Sequence, residues 1–171
     1  MGQLSDADFF ARPSLGRGTN VNSVAIIVQH LAGNMASRWT DFLASDGEKP
    51  WRDREAEFAE PDPTSASRDD LVRQWAKGWD LLLDTVAQLN EDDLNATVTI
   101  RSKPHSVVAA LLRQLDHYAT HVGQIVTTAR LFVPESEWRY FTLRPGETAA
   151  FNAAMTGQID VAAEDNTPNI V

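Results

Sequence analysis

The residues of this chain best equipped for chemistry are its four histidines, His30, His105, His117 and His121. Two of them close the segment HYATH, at 117 and 121. If that segment is helical, four residues make close to one full turn. Both imidazoles then leave the same face, about 6 Å apart at Cβ. Two ring nitrogens so placed can meet one metal ion at about 2.0–2.1 Å, and a third imidazole from a facing helix, for which His30 is the candidate, completes a tripod. Three neutral imidazoles leave coordination positions open to water or substrate, the pattern of a catalytic rather than a structural site. Such a donor set suits Zn, Ni, Co or Fe and does not choose among them. His105 precedes His117 by twelve residues, roughly 18 Å along a helix axis, and falls outside this group. The pair lacks the Glu of an HExxH motif, so packed or solvated histidines, with His30 donating to a carbonyl in the core, stand as the competing reading.

Helices must position these rings. After the Pro- and Gly-bearing loop 11–20, Asn22 or Ser23 can cap a helix whose apolar stripe is Val24, Ile27, Val28, Leu31, Met35, Trp39 and Phe42. This helix is expected to reach about Ala44, with His30 at the border of its buried stripe. Residues 46–66 are polar and broken by Pro50, Pro61 and Pro63, with Trp51 and Phe58 as anchors. A connection this long is usually a crossover or a site cover. Ser67 opens a second helix, with Leu71, Trp75, Trp79, Leu82, Val86 and Leu89 on its apolar face. The ATVTI segment, 96–100, alternates weakly and is expected to be a connection rather than part of a sheet. The longest helix follows Pro104 and ends before Pro134. A short helix is expected over 146–155, and the chain from about 156 is expected to be flexible. SDADFF, at 5–10, can form only a turn or two.

The same spacing places Asn34, Arg113, Gln114 and Gln124 within a turn of the histidines. They could orient a ligand or hold a substrate anion, although helix packing or a solvated face explains them equally simply. Gly123 in mid-helix suggests a close helix approach. Trp39, Trp75 and Trp79 read as core, and Tyr118 as packing.

Composition narrows the function. A formal net charge of −9 without a Lys/Arg run argues against nucleic acid. No stretch of some 18 apolar residues is present to span a membrane, and MGQLSDADFF lacks the order of a secretory signal. A cytoplasmic, single-domain protein spanning 1–171 is the expectation. With no cysteine, any thiol chemistry must borrow its thiol from a second molecule.

VVAALLRQLDHYATHVGQI, 107–125, resembles the last-helix signature of the DinB/YfiT-like metalloprotein superfamily. QHLAGNMASRWTDFLASDGEKPWRDREAEF, 29–58, and RPGETAAFNAAM, 144–155, resemble one uncharacterised subgroup of it. The resemblance implies an all-α four-helix bundle with a long crossover, metal ligands at His30, His117 and His121, and a homodimer. It also implies kinship with enzymes that activate a low-molecular-weight thiol such as bacillithiol or mycothiol. This chain begins about where the family's first helix would end, so that helix is expected to be truncated, its groove covered by the C-terminal segment or a second subunit. Two functions follow. One is a metal-dependent transferase activating a thiol or water toward a small molecule. The other is a non-catalytic, metal-stabilised bundle that binds a small molecule or a partner protein. An open cleft at the histidines favours the first, a sealed one the second.

Overall fold

The computed structural model describes residues 1–14, 16, 21–61 and 66–164, with side chains described as far as 156. Parts of the expected 11–20 loop and of the 46–66 crossover, including Pro63, lie outside the described residues, as does the end of the chain. The protein is mostly helical, with one two-stranded sheet. It divides into two compact units, Met1–Ser136 and Glu137–Val171.

The first unit is organised around α2 (Val24–Trp39). Ser23 is its cap: the hydroxyl accepts from the Ile26 N–H at 3.2 Å. The helix ends at Trp39, earlier than Ala44, because Thr40 is extended and Asp41 turns the chain at φ 47°. Nearly every face of α2 is buried, against α1 (Asp6–Phe10), a 3₁₀ turn at Ala56–Phe58, α3 (Arg68–Gln88) and α5 (Val107–Arg130). A capping box opens α3, with Ser67 and Asp70 each satisfying the other's backbone N–H. Gly78 allows α3 to close on α2: a Cβ there would lie 2.7 Å from Met35 Cε and 2.9 Å from Met35 Cβ. Gly123 has no such neighbour. A Cβ there would meet nothing within 4 Å among the described residues, which show no close helix approach at this position.

After the single turn α4 (Glu91–Leu94), the segment expected to be a connection is a strand. β1 (Thr97–Ile100) pairs antiparallel with β2 (Lys103–Ser106), burying Val98 and Ile100. Arg101 and Ser102 form the turn at φ 53° and 59°, the left-handed geometry a two-residue hairpin prefers and for which Asn-Gly is the usual signal. Asp46 holds this turn, accepting from the N–H groups of Arg101 (2.9 Å) and Ser102 (2.7 Å). Ser106 then caps α5.

The five-residue α1 is the only helix ahead of α2 among the described residues. Between α3 and α5 runs an apolar groove of about 260 Å³, walled by Trp39, Trp79, Leu82, Val86, Leu111 and Tyr118. Beside it, Leu83, Leu112 and Leu115 stand about 60 % exposed or more (59 %, 60 % and 66 %). No helix among the described residues is long and apolar enough to cross a membrane. In the second unit, α6 (Thr148–Glu164) follows Gly146 at φ 92° and extends past the expected end at 155.

Candidate metal centre

His30, His117 and His121 converge. Their ring centroids lie 5.3 Å (30 to 117), 5.0 Å (30 to 121) and 4.6 Å (117 to 121) apart. One nitrogen from each ring falls within 4.8 Å of the others. The 3.3 Å between His30 Nε2 and His117 Nε2 equals the spacing of about 3.3–3.4 Å that two nitrogens take when bonded at 2.0–2.1 Å to one tetrahedral ion. The donor set therefore fits a metal ion. His105 sits on β2 opposite Val98 and has no part in the cluster.

Two of the three far nitrogens are held as a ligand set requires. Glu57, in the 3₁₀ turn of the crossover, accepts from His30 Nδ1 at 2.9 Å. Gln124 Oε1 accepts from His121 Nδ1 at 2.8 Å. Each bond fixes the tautomer that leaves Nε2 with its lone pair. His117 Nδ1 is buried without a hydrogen-bond partner among the described residues. Glu57 is itself clamped by Arg52, whose Nε and Nη2 each donate to it at 2.7 Å. Burial pushes the Glu57 carboxyl up, but the bonds from Arg52 and His30 outweigh it and keep it below the ordinary value. Room for this carboxylate comes from Gly33, where a Cβ would stand 2.2 Å from Glu57 Oε1. Phe58 tilts over the His30 ring at 4.4 Å between centroids.

Burial pushes the His117 pKa down to about 4, with His121, His30, Arg52 and Arg38 adding repulsion. Burial also lowers that of His121, against the bond from Gln124. Both are neutral at pH 7, the form that ligates.

Next to the histidines along α2 and α5 comes a layer of amides. Gln114 Nε2 donates to Asn34 Oδ1 at 2.8 Å and to the Tyr118 hydroxyl at 2.9 Å, which also accepts from Trp39 Nε1 at 2.8 Å. These bonds tie the two helices together at the cavity wall, where Asn34 and Gln114 stand beside the histidines. Trp39 is buried, Trp75 and Trp79 are half-buried, and Trp51 is exposed and does not line the histidine cavity. The histidines open into a solvent-connected cavity of about 430 Å³. Sequence reasoning missed Glu57, Arg52 and Arg38 at this site. Gly33, a helix-weakening residue one turn from His30, was the available signal for the first.

The family comparison follows this geometry. Residues 1–147 match the model of a family described as a protein of unknown function, DUF1572. The chain belongs to that family. Neither the curated proteins nor the solved structures yielded a match.

Proposed function

We propose that this chain is a DinB-like metalloprotein in which His30, His117 and His121 hold one divalent ion, Zn or Ni before Fe, Co or Mn, and that it acts as a transferase on a small molecule in the cytoplasm. One observation carries the reading: three imidazole nitrogens meet at the wall of an open cavity of about 430 Å³, with the far nitrogens of two of them already held by Glu57 and Gln124. A sealed tripod would have favoured the non-catalytic bundle. Bound there, the ion supplies Lewis-acid chemistry that lowers the pKa of a thiol or water.

The protein's own residues do the rest. Glu57 accepts the hydrogen bond from His30 Nδ1–H, Arg52 keeps Glu57 ionised, and Phe58 shields one face of the His30 ring. A thiol nucleophile must enter with a second molecule, since the chain has no cysteine. A second copy of the chain is the occupant this reading assigns to the apolar groove between α3 and α5.

The test is metal content by mass spectrometry of the purified protein and four Ala variants. His30→Ala, His117→Ala and His121→Ala are expected to release the ion, with affinity down more than about 100-fold, the upper end of what loss of an outer-shell partner costs. His105→Ala is expected to retain it. Full occupancy in His30→Ala overturns the tripod.

A further inference from the structure

The chain carries a net charge of −9, yet its metal-site cavity is lined by Arg38, Arg52, Arg54, Arg101 and Arg113 against one carboxylate, Asp116. Three of these arginines are already spoken for. Arg52 pairs with Glu57 and Glu48, Arg101 with Glu48, and Arg54 with Glu55. Arg38 and Arg113 have no ion-pair partner among the described residues, Asp116 included.

Arg38 is the unusual one. It is only 3 % exposed, and its Nε and Nη1 are sealed from solvent with no acceptor among the described residues. Leaving a buried guanidinium unpaired is costly, and the fold has nevertheless shaped a seat for it. A Cβ at Gly47 would lie 2.4 Å from Arg38 Nη1 and 3.0 Å from its Cδ. Gly47 is fixed there by its N–H to Thr99 O at 2.8 Å and by the Ser37 hydroxyl, which donates to its carbonyl at 2.9 Å. Burial pulls the Arg38 pKa below the ordinary arginine value, with Glu48 opposing and Arg52 and Arg113 reinforcing the fall. An anion arriving in the cavity that Arg38 lines offsets the unpaired charge, the electrostatic part of this cost.

The position fits a substrate. Arg38 is two helical turns beyond His30, roughly 12 Å along the axis of α2, with the Asn34–Gln114 rung between them. On α5, Arg113 lies one turn beyond His117 in the matching direction. We propose that the cavity takes an anionic small molecule whose carboxylate or phosphate oxygens pair with Arg38 in the wall and Arg113 at the rim, several bonds from the atom that reacts at the three histidines. This rests on reading the cavity as the substrate site of a metal-dependent transferase.

Isothermal titration of the metal-loaded protein with succinate, inorganic phosphate and neutral succinamide tests it, with metal content measured on the same samples. Succinate is expected to bind and succinamide not. Arg38→Met should weaken succinate at least tenfold, Arg38→Lys less, and Arg113→Gln about threefold, all with the metal retained. Phosphate binding tighter than succinate, and equally lost in Arg38→Met, supports the subsite and assigns it to phosphoryl groups. Succinate binding that survives Arg38→Met unchanged overturns the proposal, because the acid then sits elsewhere, on the metal included. If Arg38→Met does not fold, the wild-type Tm decides: a rise with succinate but not succinamide supports the subsite, and no rise overturns it. Metal loss from the wild type would instead sink the metal reading, independently of whether the anion binds.

Discussion

Along its α3 side, α2 brings Met35 against Gly78 so closely that a methyl group on the glycine would collide with the methionine. Along its α5 side, the same helix presents His30, Asn34 and Arg38, three polar residues in steps of four. The first seam is apolar and closed. The second is polar, and its middle rung is tied across the two helices by the Gln114–Asn34 hydrogen bond. A helix buried on all sides can carry polar groups when each has a partner, and here the unmatched atoms, on His117 and Arg38, cluster at the cavity. The comparison separates two jobs on one element: stability is concentrated on the α3 side, chemistry on the α5 side.

The sharpest way to break that division is to truncate Met35. Met35→Ala removes a side chain with no exposure, and a core truncation of this kind costs about 2–5 kcal/mol. Denaturant unfolding should show that loss while metal stoichiometry and affinity stay those of the wild type. If the metal is lost along with the stability, the two seams are not independent.

The converse substitution acts on the site. Glu57→Gln keeps the shape but removes the charge that holds His30 Nδ1, and is expected to weaken metal binding about 10–100-fold. Gly33→Ala should act in the same direction, since its methyl would occupy the place of Glu57 Oε1. Competition with a chelator of known affinity measures both. Wild-type affinity in Glu57→Gln would mean that the carboxylate serves Arg52 alone.

These two residues mark where the sequence stops being readable. The pair 117/121 lies within one turn of one helix, so spacing alone put both rings on one face. His30 was recoverable because the apolar period of α2 placed it at the core edge. Glu57 is 27 residues from the ring it holds, in a 3₁₀ turn without periodicity, and one glutamate among several in a charged loop carries no label. Nothing in the spacing around Arg38 singles it out, and only tertiary burial makes its charge unusual. The hairpin escaped for a local reason. Lys103–Ser106 is KPHS, with no β-branched or large aromatic residue, and its turn is Arg-Ser rather than Asn-Gly.

That hairpin also supports the smallest expected effect, one that extends the comparison to the wall behind Arg38. Asp46 binds the Arg101–Ser102 turn to the loop carrying Gly47, and so helps to hold the seat of Arg38. Partial burial pushes its carboxyl up, but N–H donors from Glu48, Ser102 and Arg101, with the Thr99 side chain, outweigh this and hold it at about 2, below the ordinary 3.8. A carboxyl depressed in the folded state stabilises fully above its unfolded pKa and loses that contribution as pH falls through the folded value. The window is therefore about pH 4 down to about 2. Because the group is partly solvent-exposed, screening leaves a contribution on the order of 1 kcal/mol. Urea unfolding of the wild type and Asp46→Asn should differ by that amount at pH 5 to 7. The gap should narrow through pH 3 as the wild-type carboxyl takes up its proton. A gap that holds constant down to pH 2.5 would show that the turn depends on the shape of the side chain and not on its charge.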